Sequence, residues 1–220
     1  MSVLAVDQGA LCGLFATVLS YPASPPGEAA RACATEARAA CPEAAELLDA
    51  FARVADDLPP GVLEEGYTRT FDLDTLSRSE PTCYPYVGHY LFDESHKRGA
   101  FILGLRKRFR AAGFSDDGEL ADHLVVLLRF LATHPESELA EELVCDALVP
   151  ALSRIGQVAA AADEAGSPAR TAYVGVLRAL ELVLRAARPE LEPEPLTIEI
   201  EREWARNRDS LGIDRAWCGH

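Results

Sequence analysis

Several things are missing from this sequence, and each absence excludes something. Its six cysteines, at 12, 33, 41, 83, 145 and 218, form no CxxC pair, so close spacing signals neither a zinc site nor a redox dithiol. There is no GxxxxGK[ST] or GxGxxG loop to cradle a phosphate, no GxSxG elbow and no HExxH, and no two histidines fall four apart. No basic residue precedes Arg31, so the charged start of a secretory signal is lacking. No run of about 18 uncharged apolar residues exists; the best candidate, Leu124 to Ala132, is short and carries Arg129. Basic residues are scarce, 21 against 35 acidic ones, for a net charge of -14. That balance argues against nucleic acid and against an anionic membrane as partners, since both need clustered Lys and Arg. The expected compartment is the cytoplasm, with the thiols reduced.

What is present is a globular composition, 49% hydrophobic and 25% charged over 220 residues, with an apolar period that is helical almost throughout. Leu11, Leu14, Phe15, Val18 and Leu19 share one helix face, and Tyr21-Pro22 ends it. Residues 28 to 57 are good helix formers, divided at Pro42, which starts the second helix. A short helix is expected over Val62 to Arg69, then a long loop over Thr70 to Pro85. Helix returns near Tyr86 in two parts and stops at Gly113. Leu124, Leu127, Leu128 and Leu131 form a strongly apolar stripe ended by His134-Pro135, and Ser137 caps the next helix, which Pro150 should kink. Ser167-Pro168 opens a last long helix with Tyr173, Leu177, Leu180 and Leu184 on one face. The expectation is an all-α, single compact bundle of about eight helices over residues 1–188. An acidic, partly extended tail follows over 189–220.

No catalytic constellation stands out. Asp56-Asp57 and Asp116-Asp117 lie in turn-like contexts and read as solvated turn or cap residues. Cys83 reads as a small buried hydrophobe. The unusual stretch is Tyr67 to Phe114, which holds four of the six tyrosines together with His89, His96, Arg98 and Arg106. Aromatic rings with polar tips, gathered like this, suit a binding groove that is half apolar and half wet.

The same stretch carries a family resemblance. Tyr67-Thr-Arg-Thr-Phe71-Asp72-Leu73 resembles the Y-x-x-T-F-D-L signature of the nitrate reductase molybdenum cofactor assembly chaperones, the NarJ/TorD-like redox enzyme maturation chaperones. Asp93-Glu-Ser-His-Lys-Arg98-Gly99-Ala100 is similar to that family's G-D-x-R-x-R-G-x-A segment. Arg106-Lys107-Arg108-Phe109-Arg110-Ala111-Ala112-Gly113-Phe114 is similar to its K-x-x-Y-R-x-A-G-F helix end. Glu119-Leu120-Ala121-Asp122-His123-Leu124 resembles its E-L-P-D-x-L and the E-P-x-D-H of the wider TorD-like group, with Ala121 in place of the proline. Between them, Cys83-Tyr84-Pro85-Tyr86-Val-Gly-His-Tyr90 departs from the usual C-S-L-Y-L-T-Y. It looks more like the C-x-P-Y-x-x-x-Y version of chaperones for dimethylsulfide, selenate or ethylbenzene dehydrogenases, which leaves the client open.

The resemblance spans roughly residues 62 to 134 and implies an all-helical, non-enzymatic cytoplasmic chaperone. Such a chaperone binds the apo catalytic subunit of a molybdopterin oxidoreductase at its N-terminal region. It binds no cofactor stably and meets the molybdopterin cofactor only transiently, as a monomer or weak homodimer. The aromatic cluster and the resemblance together nominate Tyr67, Phe71, Tyr84, Tyr86, His89, Tyr90, Arg98, Arg106, Asp122 and His123 as client-binding residues. Asp122 reads equally as a first-turn carboxylate favoured by the helix dipole, and His123 as a simple hydrogen-bonded histidine. Competing readings are a small helical metal- or ligand-dependent enzyme using His89, His96 or His123, and a structural subunit of the mature oxidoreductase.

Overall fold

Capping chemistry sets where the helices begin. In the computed structural model, which describes residues 7–71, 83–92, 96–161 and 167–188, Asp7 opens α1 (Gln8–Val18) by accepting the Ala10 N–H at 3.0 Å. α2 (Gly27–Ala37) and α3 (Pro42–Asp57) are separated at Pro42, which occupies the first turn of α3, where its missing N–H costs nothing. α4 (Pro60–Phe71), α5 (Val87–Phe92) and α6 (His96–Ala111) follow. α7 (Leu124–Thr133) and α8 (Glu138–Glu142) come next, and Ser137 caps α8 through the Ala140 N–H at 3.1 Å. α9 (Val149–Ala161) leads to α10 (Pro168–Ala186), which has Ser167 as cap and Pro168 in its first turn.

α6 ends by a device that the sequence spells out. Gly113 adopts φ 73°, a left-handed conformation that other residues enter at a cost. The Gly113 N–H bonds the Arg110 carbonyl at 3.1 Å and the Phe114 N–H bonds the Phe109 carbonyl at 2.9 Å. The Phe109 and Phe114 rings meet at 5.0 Å. These are the two reciprocal bonds and the apolar contact of a Schellman motif.

Two elements differ from expectation. The helix expected over Val62 to Arg69 runs from Pro60 to Phe71, because Thr70 satisfies its hydroxyl on the Gly66 carbonyl at 2.7 Å and stays inside the helix. The expected loop therefore starts after Phe71; of it, residues 72–82 lie outside the described segments, as does the tail from 189. The disturbance expected at Pro150 takes the form of a π-helical turn over Leu143–Leu148, just ahead of the proline. A wider turn accommodates a residue that has no N–H and whose ring crowds the carbonyl one turn back.

The helices pack into one all-α core. α7 is central: Leu124 to Leu128, Phe130 and Leu131 are all buried. α1 lies against α7 and α2, α2 against α3, and α10 against α3, α4 and α9. Beneath α4 an aromatic knot joins side chains of three helices: Tyr173 of α10 meets Phe51 of α3 at 5.0 Å, and Tyr67 and Phe71 of α4 at 5.5 Å and 5.6 Å, all edge-on. A polar seam joins α9 to α10, where the buried Glu181 accepts from Ser153 at 2.6 Å, Arg178 at 2.8 Å and Arg185 at 3.0 Å. Among the described residues there is no strand, only a single bridge between Tyr86 and His123. None of the described helices is long and apolar enough to cross a membrane.

Tyr173 is fully buried, and its hydroxyl has no hydrogen-bond partner among the described residues. Removing an unsatisfied buried hydroxyl costs nothing and relieves desolvation. Tyr173→Phe should therefore match or exceed the wild type in urea midpoint, whereas Phe51→Ala, in the same knot, should lose about 3–5 kcal/mol.

Candidate functional site

Eight of the ten nominated residues fall into two neighbouring groups joined by backbone, and the other two, Arg98 and Arg106, lie on α6. Tyr67 and Phe71, one turn apart on α4, stand on the aromatic knot; Tyr67 is half-buried and Phe71 buried. Tyr67 donates its hydroxyl to the Leu19 carbonyl at 3.3 Å and carries the ring of Tyr21 edge-on at 5.6 Å. The other group lies on residues 83–90 and 119–123. The Cys83 N–H bonds the Thr70 carbonyl at 3.1 Å, which fastens this second group to the last turn of α4.

Two further backbone bonds lock the second group internally. The Val87 N–H bonds the Asp122 carbonyl at 2.9 Å and the Leu124 N–H bonds the Pro85 carbonyl at 2.7 Å. They flank the Tyr86–His123 bridge and satisfy groups at the starts of α5 and α7. His123 is the N-cap of α7: its Nδ1 accepts the Val125 N–H at 3.2 Å. The Tyr86 ring meets the His123 ring edge-on at 5.3 Å. Tyr84 packs on His89 at 4.3 Å, and the Tyr84 N–H donates to the Tyr90 hydroxyl at 2.8 Å. Arg154 of α9 reaches the Tyr90 carbonyl at 2.5 Å.

Asp122 settles between neither of the roles the sequence offered. It is 0% exposed, so its carboxylate meets no peptide at the surface. Instead it takes the Arg98 guanidinium, Nε to Oδ2 at 2.8 Å and Nη2 to Oδ1 at 3.5 Å. The same guanidinium lies over the Tyr86 ring, 5.0 Å from its centre. Gly88 makes the room: a Cβ there would stand 2.6 Å from Asp122 Oδ2 and 3.1 Å from Arg98 Cγ. Arg106 has a similar fastening task about two turns further along α6. Its Nε holds Asp116 Oδ2 at 3.0 Å and its Nη2 the Glu119 carbonyl at 3.3 Å, which pins the turn carrying Glu119.

The face left outward is aromatic and acidic. Tyr84, Tyr86, His89 and His123 are half-buried around it, and Glu119 is exposed. Burial pushes the Tyr67 hydroxyl up to about 12, with the Glu119 carboxylate and Tyr86 adding to the rise. Tyr86 is raised chiefly by burial, then by Glu119 and Asp122. Tyr67, Tyr86 and Glu119 thus share one field. Burial lowers the His123 pKa, opposed in part by Glu119 and Asp122. Cys83 is buried and its thiol is raised, again by burial first. No group of three His, Cys, Asp or Glu side chains among the described residues is arranged to hold a metal ion.

The structure adds residues that sequence reasoning missed. Gly88 and Arg154 set the geometry of the second group, yet neither has a spacing that marks it. Glu119 was visible as part of a motif, but its facing of Tyr67 and Tyr86 was not.

A family model for the nitrate reductase delta subunit matches residues 34–162, well over half of the chain, and spans all ten nominated residues. Among curated proteins nothing matches. Among solved structures the chain is similar to the crystal structure of a candidate redox enzyme maturation protein from Archaeoglobus fulgidus. The two share 19% identity over 80% of this chain and 95% of that one, with a TM-score of 0.48.

Two outcomes test this geometry. Arg98→Met strands a buried carboxylate and should cost about 3–5 kcal/mol in chemical denaturation, with part recovered in Arg98→Met/Asp122→Leu. For His123 the folded pKa lies below the unfolded one, so the neutral ring is the folded form. Below about pH 6.5 the unfolded chain takes up a proton that the folded chain refuses, and stability falls with falling pH. His123→Asn keeps a capping acceptor without a titrating ring. Its urea midpoint should fall less than the wild type's between about pH 7.5 and about pH 5.5.

Proposed function

The chain belongs to the nitrate reductase delta subunit family, and from that premise we propose that it is a maturation chaperone, not an enzyme. In this reading it binds the apo catalytic subunit of a molybdopterin oxidoreductase, at the client's N-terminal region, and holds it open for cofactor insertion. The molybdopterin belongs to the client; this chain meets it only in passing. The observation that carries the reading is that the family match encloses the entire aromatic and acidic face.

The geometry suits such a role. An amphipathic peptide helix needs an apolar strip to cover its own and a polar rim to fix its register. Tyr84, Tyr86 and His89 offer rings that are partly exposed and held in place from beneath, so little side-chain freedom is lost on binding. Phe71, Tyr90, Arg98, Arg106 and Asp122 act one step back, as the support that sets those rings. The net charge of -14 favours encounter with a basic segment.

The test is binding of purified full-length protein to the N-terminal peptide of the catalytic subunit encoded beside it, by calorimetry. Saturable binding is expected, weakened by salt. Tyr86→Ala should lower the affinity by about 2 kcal/mol, roughly thirtyfold. If neither the peptide nor the apo subunit binds, the chaperone reading fails.

A further inference from the structure

Leu103 of α6 is 69% exposed, the most open large apolar side chain among the described residues. Gly99, Lys107 and Arg110 are exposed as well, and the four stand three or four residues apart, so they share one stripe of the helix. Nothing lies within 4 Å of where a Cβ on Gly99 would stand. Followed back from its C-terminal end, the stripe is basic at Arg110 and Lys107, then apolar at Leu103 and Gly99.

The described residues end at Arg188, with 32 residues of the chain still to come. Arg188 lines a cleft with Gln8, Leu131 and Pro135. His134, next to Pro135, donates from Nε2 to the carbonyl of Ala112, the residue after α6, at 3.2 Å. Val144 lines the same cleft, two residues beyond Glu142, which holds Arg108 of α6. Both ties set the start of the tail beside the C-terminal, basic end of the stripe.

The tail is written in a matching order. Residues 190–203 hold six acids against one base. Glu192 and Glu194 each precede a proline, which biases both toward extended backbone. Side chains alternate along an extended chain, so Glu190, Glu192 and Glu194 share an edge with Leu196, Ile198 and Ile200. That edge is acidic first and apolar after, where the stripe is basic first and apolar after. The lengths agree too. Four residue steps from Leu196 to Ile200 span ~13 Å of strand, and seven from Leu103 back to His96 span ~10 Å of helix.

We propose that residues 190–201 of this chain form a strap along the outer face of α6, antiparallel to it. The carboxylates of Glu190 to Glu194 face Arg110 and Lys107, and Leu196 to Ile200 cover Leu103 and Gly99. Apolar burial holds the strap down, and charge fixes its direction. The strap is independent of what the protein binds.

A glutamate-specific protease reads the strap in the full-length protein. Cleavage after Glu199 should be slow in wild type and about tenfold faster in Leu103→Asp and in Lys107→Glu/Arg110→Glu, since cutting follows the undocked population. The altered side chains are exposed, so urea midpoints should match the wild type's. Adding Glu192→Lys/Glu194→Lys to the α6 charge reversal should restore protection. Cleavage as fast in wild type as in these variants overturns the proposal. Cross-linking reads the register. In a Cys218→Ser background, Gly99→Cys with Ile200→Cys should form a disulfide within one chain under mild oxidation. Val62→Cys with Ile200→Cys, at another exposed apolar position, should not. Equal cross-linking of the two pairs overturns the strap, and so does a cross-link found only between two chains, which would make this face an interface between copies.

Discussion

The Arg98–Asp122 ion pair is the constraint on which the site depends. A carboxylate with no exposure to water is tolerable only when a cation meets it in good geometry. Here that requirement draws four elements together. α6 supplies the guanidinium, the turn before α7 supplies the carboxylate, α5 supplies the glycine that leaves room, and Tyr86 supplies the ring beneath the charge. The backbone bonds from Val87 and Leu124 then fix the height of residues 84–86 to within a hydrogen bond. Rings that stand at the surface are therefore positioned by a carboxylate that never reaches it.

That division explains how far the sequence could be read. The helices were legible because their signals are local: Asp7, Ser137 and Ser167 as caps, Pro42 and Pro168 in first turns, Gly113 with Phe114 at a stop. The family-like segments were legible too, but mostly as scaffold. The Phe109 to Phe114 stretch is a helix end, Asp122-His123 is a buried charge followed by a cap, and Tyr67 with Phe71 caps an aromatic knot. Order along the chain marked these segments and not whether their residues faced inward. Burial of Asp122 depends on Arg98, 24 residues away, and on a missing Cβ at Gly88, which no periodicity records. The pairing of Tyr21 with Glu64, 43 residues apart, is invisible for the same reason.

Charge is sorted by the same geometry. α6 carries six Lys and Arg residues and no acid, yet three of its arginines turn to carboxylates on other elements: Arg98 to Asp122, Arg106 to Asp116 and Arg108 to Glu142. The basic helix is spent largely on holding the bundle together. Glu64 and Glu119 have no such partner among the described cations. An acidic protein that sequesters its cations this way offers carboxylates to a visitor without offering the arginines that would compete for them.

The aromatic knot also ties earlier-made helices of the chain to a later-made one. Tyr67 and Phe71 rest on Tyr173, so the packing beneath them is completed by α10, which lies beyond the family-matched segment. During translation the N-terminal helices emerge first, but Phe51, Tyr67 and Phe71 lack the Tyr173 ring until α10 has been made. A nascent copy therefore carries Tyr67 and Phe71 without the ring that packs against them, and the knot closes only once α10 has been made.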